Sequence, residues 1–253
     1  MLLVFDIGNT NITIGLFDLK EKNNLNPKKV WNMTSVKTQT ADEYGIMLMN
    51  MFFYSGLDIK EVKYAAIASV VPSLNPVFEE LIKNCINKNA FFAVNYQNSG
   101  IKFAVKNYKE VGADRIANTA AAWALFKGGL AVIDFGTATT FDCIDSKGRY
   151  IGGAITPGPN LAAAALNLRT AQLPQVEIKR PAKAIGTSTV ECIQSGLYFG
   201  YIGLIKEIIA RIKTEMKLNK IIVTGGLAGL MSSEIKEINS VCPDLTLQGI
   251  KII

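Results

Sequence analysis

A short pattern that occurs twice constrains the fold of this chain more than any other feature. An apolar strand, an aspartate and a glycine turn stand at Val4-Phe5-Asp6-Ile7-Gly8 and again, 128 residues later (134 − 6), at Val132-Ile133-Asp134-Phe135-Gly136. Such a repeat predicts two domains of similar fold that face one cleft. Because strands alternate with helices in both halves, we expect an α/β fold with domains at residues 1–111 and 112–253.

The composition excludes several classes of protein and of catalytic site. Hydrophobic residues make up 49% and charged residues 19% of the 253 residues, as expected of a folded globular protein. No apolar run reaches the roughly 18 residues of a membrane helix, and the start lacks a signal peptide, so we expect a cytoplasmic protein with no membrane partner. The chain has no histidine, which excludes Ser-His-Asp and Cys-His mechanisms. Its four cysteines are far apart, which argues against zinc.

The net charge of +6 bears on the partners of this chain. Its lysines concentrate at 20–29 and 206–220. The second set is spread over a helical pattern without interleaved aromatic residues, so a solvated helix face is favoured and no nucleic-acid partner is expected. A positive field would favour an anionic substrate.

Hydrophobic periodicity predicts the main elements of secondary structure. Strands are predicted at 2–5, 12–17, 64–71, 90–94, 130–133, 139–144 and 220–223, and helices at 41–54, 76–88, 112–126, 160–173 and 188–217, the last with a break near 200–203. Residues 19–27 and the Gly/Pro-rich segment 152–159 are predicted loops.

The first Asp-x-Gly loop has the chemistry of an anion site. Gly8 permits a tight turn that can direct backbone N–H groups and the side chains of Asn9, Thr10 and Thr13 at one anion. Asp6 would repel phosphate but can hold Mg²⁺ through water. An ordinary hairpin turn explains one copy equally well, and the second copy favours function.

The second loop, residues 134–140, is richer in hydroxyl groups. Thr137, Thr139 and Thr140 can donate to phosphate oxygens or ligate a cation. A plain strand edge would also contain threonines, but an aspartate directly after an apolar strand argues against that alternative.

Two weaker motifs remain open on the residues alone. Thr224-Gly225-Gly226 follows a strand and would let a ring or ribose approach the backbone, although a plain turn is favoured. In Gly112-Ala113-Asp114-Arg115, Asp114 is either a helix cap or a general base, and the cap is favoured.

These motifs together resemble one family. Asp-Ile-Gly-Asn-Thr, Gly-Ala-Asp-Arg, Asp-Phe-Gly-Thr-Ala-Thr-Thr, Gly-Gly-x-Ile-x-Pro-Gly and Thr-Gly-Gly occur in the order and spacing of type III pantothenate kinases. The resemblance covers essentially the whole chain. It implies two actin-like (ribonuclease H-like) domains with mixed central sheets flanking an ATP cleft, and transfer of the ATP γ-phosphate to pantothenate, the first step of coenzyme A biosynthesis. It also implies a homodimer.

The resemblance implies roles for individual residues. Asp114 would be the catalytic base, Asp6 would hold Mg²⁺ through water, and Asp134 would bind a monovalent cation, K⁺ or NH₄⁺. The implied ATP-binding residues are Asp6, Ile7, Gly8, Asn9, Thr10, Asn11, Ile12, Thr13, Thr137, Gly225 and Gly226. The implied pantothenate-binding residues are Gly112, Ala113, Asp114, Arg115 and Thr189.

One position departs from the family pattern. The family often has a tyrosine seven residues before the first glycine of Gly-Ala-Asp-Arg, where this chain has Val105, and its nearest tyrosine is Tyr108. That tyrosine contact is either lost or supplied by Tyr108 through a shifted loop.

Two other functions fit the same motifs. One is a kinase of the same superfamily that acts on another small alcohol or acid, which a panel of acceptors would reveal. The other is a non-catalytic regulator, since some relatives were first described as transcription accessory factors. The absence of a separate DNA-binding domain argues against it.

Overall fold

Each Asp-x-Gly turn joins two neighbouring antiparallel strands of a mixed sheet in the computed structural model of this protein, which describes residues 1–21, 24–170 and 172–253. The first sheet has the order β3-β2-β1-β4-β5, with β1–β2 and β2–β3 antiparallel and β1–β4 and β4–β5 parallel. Its strands are β1 (Leu2–Ile7), β2 (Asn11–Phe17), β3 (Lys29–Thr34), β4 (Tyr64–Ser69) and β5 (Ala90–Phe92).

The second sheet repeats this topology. Its order is β11-β10-β7-β8-β9-β6, with β7–β8 and β8–β9 antiparallel and β7–β10 and β10–β11 parallel. Its strands are β6 (Lys102–Phe103), β7 (Leu130–Phe135), β8 (Ala138–Ile144), β9 (Arg149–Pro157), β10 (Lys220–Thr224) and β11 (Ser240–Val241). The repeat seen in the sequence is therefore a repeat of five strands, and the α/β prediction with mixed sheets is confirmed.

Helices cover the faces of the sheets. They are α1 (Ala41–Tyr54), α2 (Asn75–Ile86), α3 (Ala113–Phe126), α4 (Pro159–Arg169), α5 (Thr189–Glu215), α6 (Ala228–Ser232) and α7 (Leu245–Ile252). Helix α1 begins at a capping box, in which the Thr40 hydroxyl accepts from the Glu43 N–H and the Glu43 carboxylate accepts from the Thr40 N–H. No helix in the described ranges is long and apolar enough to cross a membrane.

The chain divides into two compact units, residues 1–101, 106–121 and 244–253, and residues 102–105 and 122–243. This division does not coincide with the predicted boundary at 111 and 112. Helix α7 belongs to the first unit because it packs closely on α3, where Gly249 lies so near Ala117 that a Cβ would be 2.0 Å from the Ala117 carbonyl oxygen. In addition, the Thr246 hydroxyl donates to Asn118 Oδ1 at 2.8 Å.

Three predictions of secondary structure were wrong. Helix α5 is continuous through 200–203, because Gly200 and Gly203 are exposed while its apolar face packs in the core. Segment 152–159, predicted as a loop, is mostly strand β9, since Gly153 lets the strand lie against the Phe141 carbonyl. Helix α4 ends at Arg169 rather than 173. Ala171, within that predicted helix, and Lys22 and Asn23, within the predicted loop 19–27, lie outside the described residues.

Candidate active site

The first Asp-x-Gly loop is a closed hairpin turn. The Gly8 N–H donates to the Asn11 carbonyl at 3.0 Å, so this donor holds the turn together instead of facing an anion. A Cβ on Gly8 would lie 2.9 Å from the same carbonyl, which explains why the turn contains glycine. Asp6, at the end of β1, is half-buried and stands opposite Thr13 in the hairpin register.

The predicted ATP-binding residues of this loop differ in what they can offer a ligand. Asn9, Thr10 and Asn11 are exposed at the tip of the turn. Ile7 and Ile12 are fully buried in the core, so only their backbone atoms could meet a nucleotide. The Thr13 hydroxyl donates to Asn32 Oδ1 at 3.2 Å.

Asp114 lies in the first turn of α3, and its surroundings hold the carboxylate in one position. Its Oδ1 accepts from the Arg115 N–H at 2.8 Å. Gly112 is closely packed against it, because a Cβ there would lie 2.5 Å from Asp114 Oδ1. Burial raises the pKa of the Asp114 carboxyl, and the hydrogen bond and charge of Arg115 oppose only part of this effect.

Asp6 and the start of α3 belong to the same face of the first sheet. Val4 and Asp6 alternate with buried core residues along β1, so both side chains stand on one face. Val4 packs there with Ala113 and Ala117 of α3. A Cβ on Gly112 would lie 3.5 Å from Val70, which directly follows β4, the parallel neighbour of β1. The fold therefore brings the first loop and the Gly-Ala-Asp-Arg segment to the carboxyl end of two parallel strands, where α/β proteins bind ligands.

The second loop packs against the Thr-Gly-Gly turn. Asp134 is half-buried and stands opposite Thr140 on β8 and Thr224 on β10. Gly225 has φ +89°, and a Cβ there would lie 2.6 Å from Asp134 Oδ1 and 2.7 Å from the backbone of Phe135. Two motifs that are about 90 residues apart in the sequence thus form one site within the second unit.

The structure assigns different positions to the three threonines of this loop. Thr137 is exposed, whereas Thr140 is buried on the same face as Asp134. Thr139 is fully buried on the opposite face, and its hydroxyl has no hydrogen-bond partner. Because adjacent strand residues point to opposite faces, the Thr139 hydroxyl cannot share a ligand with Asp134 and Thr140 on their face of the sheet.

The Gly/Pro-rich segment, which seemed uninformative about chemistry, supports the second loop. The Gly158 N–H donates to the Thr137 carbonyl at 2.9 Å. A Cβ on Gly158 would lie 2.4 Å from the Gly136 carbonyl oxygen. The turn that carries Thr137 is therefore fixed by backbone contacts.

Other predicted positions are divided between the two units. Thr189 is exposed at the first position of α5, in the second unit. Val105 belongs to the second unit, whereas Tyr108 belongs to the first, where its ring contacts Tyr96 at a centroid distance of 4.9 Å. The positions of Val105 and Tyr108 therefore give no support to Tyr108 as a substitute for the family tyrosine.

Sequence analysis missed Asp142, a fully buried carboxylate on β8. It accepts hydrogen bonds from the hydroxyls of Tyr150 at 2.9 Å and Thr140 at 3.1 Å. The available signal was a charged residue inside an otherwise uncharged strand, since such a residue needs buried partners.

Each of the two loops carries a single aspartate at the end of its first strand. Among the described residues no three or more His, Cys, Asp or Glu side chains form a metal-binding group. Mg²⁺ commonly keeps several waters and is bound through one or two carboxylates plus substrate phosphates, which fits a single half-buried Asp6. Around Asp134 the neighbouring side chains are threonines, whose oxygens suit a hard cation.

We expect Gly112→Ala to displace the Asp114 carboxylate without unfolding the protein. The new methyl would meet Asp114 Oδ1, the movable end of a side chain, so the carboxylate must turn away. The family resemblance implies that Asp114 is the base, and misplacement of a reacting group by about 1 Å can cost roughly 100-fold in rate, so kcat should fall by about 10- to 100-fold. Steady-state kinetics would measure this. Gly200→Ala in α5 is the control, since its Cβ meets open space, and an unchanged kcat in Gly112→Ala would contradict the placement of Asp114.

Comparison with known proteins decides the family. A sequence model described as type III pantothenate kinase matches residues 2–211. The type III pantothenate kinase of Endomicrobium trichonymphae is 60% identical over 254 residues, covering 100% of this chain and 98% of the relative. The chain belongs to the type III pantothenate kinases. It is therefore an ATP-dependent kinase of a family that phosphorylates pantothenate in coenzyme A biosynthesis.

Solved structures agree with the fold of this kinase. The activator of the 2-hydroxyisocaproyl-CoA dehydratase from Clostridium difficile with bound ADPNP aligns with a TM-score of 0.55 at 10% identity, over 99% of this chain and 92% of that one. The inorganic polyphosphate/ATP-glucomannokinase from Arthrobacter sp. strain KM aligns with a TM-score of 0.50 at 14% identity, over 99% and 97%. The fold is that of the actin-like ATPases and sugar kinases.

Proposed function

We propose that this kinase transfers the ATP γ-phosphate to the terminal hydroxyl of pantothenate with Asp114 as the base. The observation that carries the proposal is the placement of Asp114, half-buried in the first turn of α3 and held by Gly112 and the Arg115 N–H. Burial raises the pKa of the Asp114 carboxyl, and a higher pKa makes the carboxylate a better proton acceptor. Asp114 orients the hydroxyl and accepts its proton late, since phosphoryl transfer depends mainly on positioning and charge neutralisation.

The two loops have separate tasks in this proposal. Asn9, Thr10 and Asn11 of the first loop and Thr137 of the second contact ATP, and Gly225 and Gly226 admit the adenosine. Asp6 would hold Mg²⁺ through water, and Asp134 would hold K⁺ or NH₄⁺. When bound, these ions offset the negative charge of the phosphate oxygens. Gly112, Ala113, Arg115 and Thr189 bind pantothenate.

Pantothenate-dependent release of ADP, with K⁺ present and absent, tests the proposal. We expect ADP release to require pantothenate and Mg²⁺ and to rise with K⁺ at constant ionic strength. A sugar panel in place of pantothenate is the control for acceptor identity. If ADP release ignores pantothenate but follows another acceptor, the proposed substrate is wrong.

We also propose that the protein acts as a homodimer in the cytoplasm. The resemblance to the family supports the dimer, and neither proposal depends on the assignment of Asp114. Light scattering of the purified protein would measure its mass, and a monomer at working concentration would contradict the dimer.

A further inference from the structure

Asp142, Thr140 and Tyr150 form a buried hydrogen-bonded group beside Asp134. Both oxygens of Asp142 are engaged, Oδ1 by the Tyr150 hydroxyl at 2.9 Å and Oδ2 by the Thr140 hydroxyl at 3.1 Å. Asp142 is 0% exposed and Tyr150 is 2% exposed. A buried carboxylate is costly even when it is hydrogen-bonded, and an apolar residue of similar volume is often neutral or stabilising there. Its presence next to a proposed ion site calls for a function.

The register of the strands places Thr140 between two carboxylates. Thr140 stands directly opposite Asp134, and Asp142 stands opposite Val132, so all four side chains share one face of the sheet. Opposed residues of antiparallel strands have Cβ atoms about 4.5–5.5 Å apart, within reach of a shared ion. Asp142 is two residues further along β8 than Thr140, away from the loop.

The hydrogen bonds determine which way the threonine hydroxyls present themselves. A threonine hydroxyl has one proton and two acceptor lone pairs, whereas a carboxylate only accepts. The Thr140 proton is therefore directed to Asp142, and the oxygen acts as an acceptor toward its other neighbours. Thr224, opposite Asp134 on the other side, likewise directs its proton to the Pro243 carbonyl at 3.3 Å. The hydroxyl oxygens of Thr140 and Thr224 therefore flank Asp134 while their protons point to other acceptors. Oxygens that can only accept favour a cation at this place over an anion.

We propose that the Thr140 hydroxyl oxygen is a further ligand of the monovalent cation at Asp134, and that Asp142 is the positioning residue that keeps the Thr140 proton out of that site. The inference rests on the proposed binding of a monovalent cation at Asp134. Asp142 itself does not touch the ion. It acts through Thr140, as outer residues commonly orient the ligands of a metal.

Four variants test this inference. Thr140→Val removes the ligand oxygen at nearly the same shape. Asp142→Asn introduces an amide that can donate to Thr140 and so turn its hydroxyl. Thr140→Ser restores the hydroxyl, and Thr139→Val makes the same change as Thr140→Val on the opposite face of β8, where the hydroxyl has no partner.

Two readouts are needed, one of them independent of turnover. The first is the K⁺ concentration that gives half-maximal ADP release, with choline chloride holding the ionic strength constant. The second is the rise of the thermal unfolding midpoint with KCl in the presence of Mg²⁺ and a non-hydrolysable ATP analogue. In both, Thr140→Val and Asp142→Asn should need roughly 10- to 100-fold more K⁺, while the KM for pantothenate stays near that of the wild type. Thr140→Ser and Thr139→Val should resemble the wild type.

The outcomes distinguish the role of Thr140 and Asp142 from the proposed binding of a monovalent cation at Asp134. If the wild type responds to K⁺ and both Thr140→Val and Asp142→Asn respond identically, the inference is overturned and the cation at Asp134 stands. If the wild type shows no K⁺ effect in either readout, both are overturned. Should Asp142→Asn fail to fold, Thr140→Val decides alone, and a wild-type K⁺ titration in that variant overturns the inference.

Discussion

Replacing Asp114 with asparagine is expected to lower kcat by roughly 10²–10⁴-fold, the usual contribution of a positioned general base. The amide keeps an oxygen for the Arg115 N–H but cannot accept the proton of the pantothenate hydroxyl. The KM for ATP should change little, since the change lies outside the loops proposed to bind it. Single-turnover and steady-state ADP release would measure the effect.

The same substitution is expected to leave the protein as stable or more stable at neutral pH. Burial raises the folded pKa of Asp114 above its unfolded value of about 3.9, so between these two pKa values the folded state binds more protons than the unfolded state. The stability of the wild type must therefore fall as the pH rises through that window. Asp114→Asn does not lose this free energy of unfolding. Its stability relative to the wild type should increase above about pH 4 and become constant above the folded pKa of Asp114. Urea unfolding at several pH values would measure it.

Asp145→Asn is the matched control for both measurements. Burial alone would raise the pKa of Asp145, but hydrogen bonds from Arg149 and Lys147 outweigh it and lower the pKa. Its stabilising effect is therefore present at neutral pH and lost as the pH falls, opposite to Asp114. Activity should persist in this control. Near-normal turnover in Asp114→Asn would end the assignment of the base, and reduced stability at neutral pH would contradict its burial.

Replacing Gly225 with alanine is expected to damage both the fold and the site. At φ +89° a side chain is strained, and the new methyl would lie 2.6 Å from Asp134 Oδ1 and 2.7 Å from the Phe135 backbone. A residue forced into such a conformation costs about 1–3 kcal/mol, and the backbone overlap adds to this. We expect the free energy of unfolding to fall by about 2–4 kcal/mol and K⁺-dependent activity to be lost. Urea unfolding and the ADP assay would measure both.

Gly229→Ala separates this effect from a general intolerance of the region. Gly229 is four residues further along, exposed in α6, with open space around its Cα. Alanine in a helix is more favourable than glycine by roughly 0.5–1 kcal/mol, so this control should be neutral or slightly stabilising. If the free energy of unfolding of Gly225→Ala equals that of Gly229→Ala, the close packing of the turn on Asp134 is wrong.

Most helices and strands were predictable where the apolar residues follow a single period, either that of a helix or that of a strand. The hairpins at both Asp-x-Gly loops, α1 and α3 follow from periodicity and caps, and the structure confirms them. Two of the three wrong predictions have a shared cause. Strand β9 and helix α5 contain glycines that look like breaks, yet neighbouring elements hold them, because tertiary packing outweighs a local penalty of about 1 kcal/mol.

The paired loops show how far the sequence alone could go. It determined that two aspartates end equivalent strands of a repeated α/β unit, since strand periodicity and glycine turns are local properties of the chain. Only the tertiary structure decided which groups surround those aspartates. The parallel pairing of β7 with β10 brings Gly225 to Asp134, and the register of β8 sets Thr140, backed by Asp142, on the same face and Thr139 on the other. The contact of Gly225 with Asp134 joins residues distant in sequence, and a shift of one residue in the register of β8 would exchange the faces of Thr139 and Thr140.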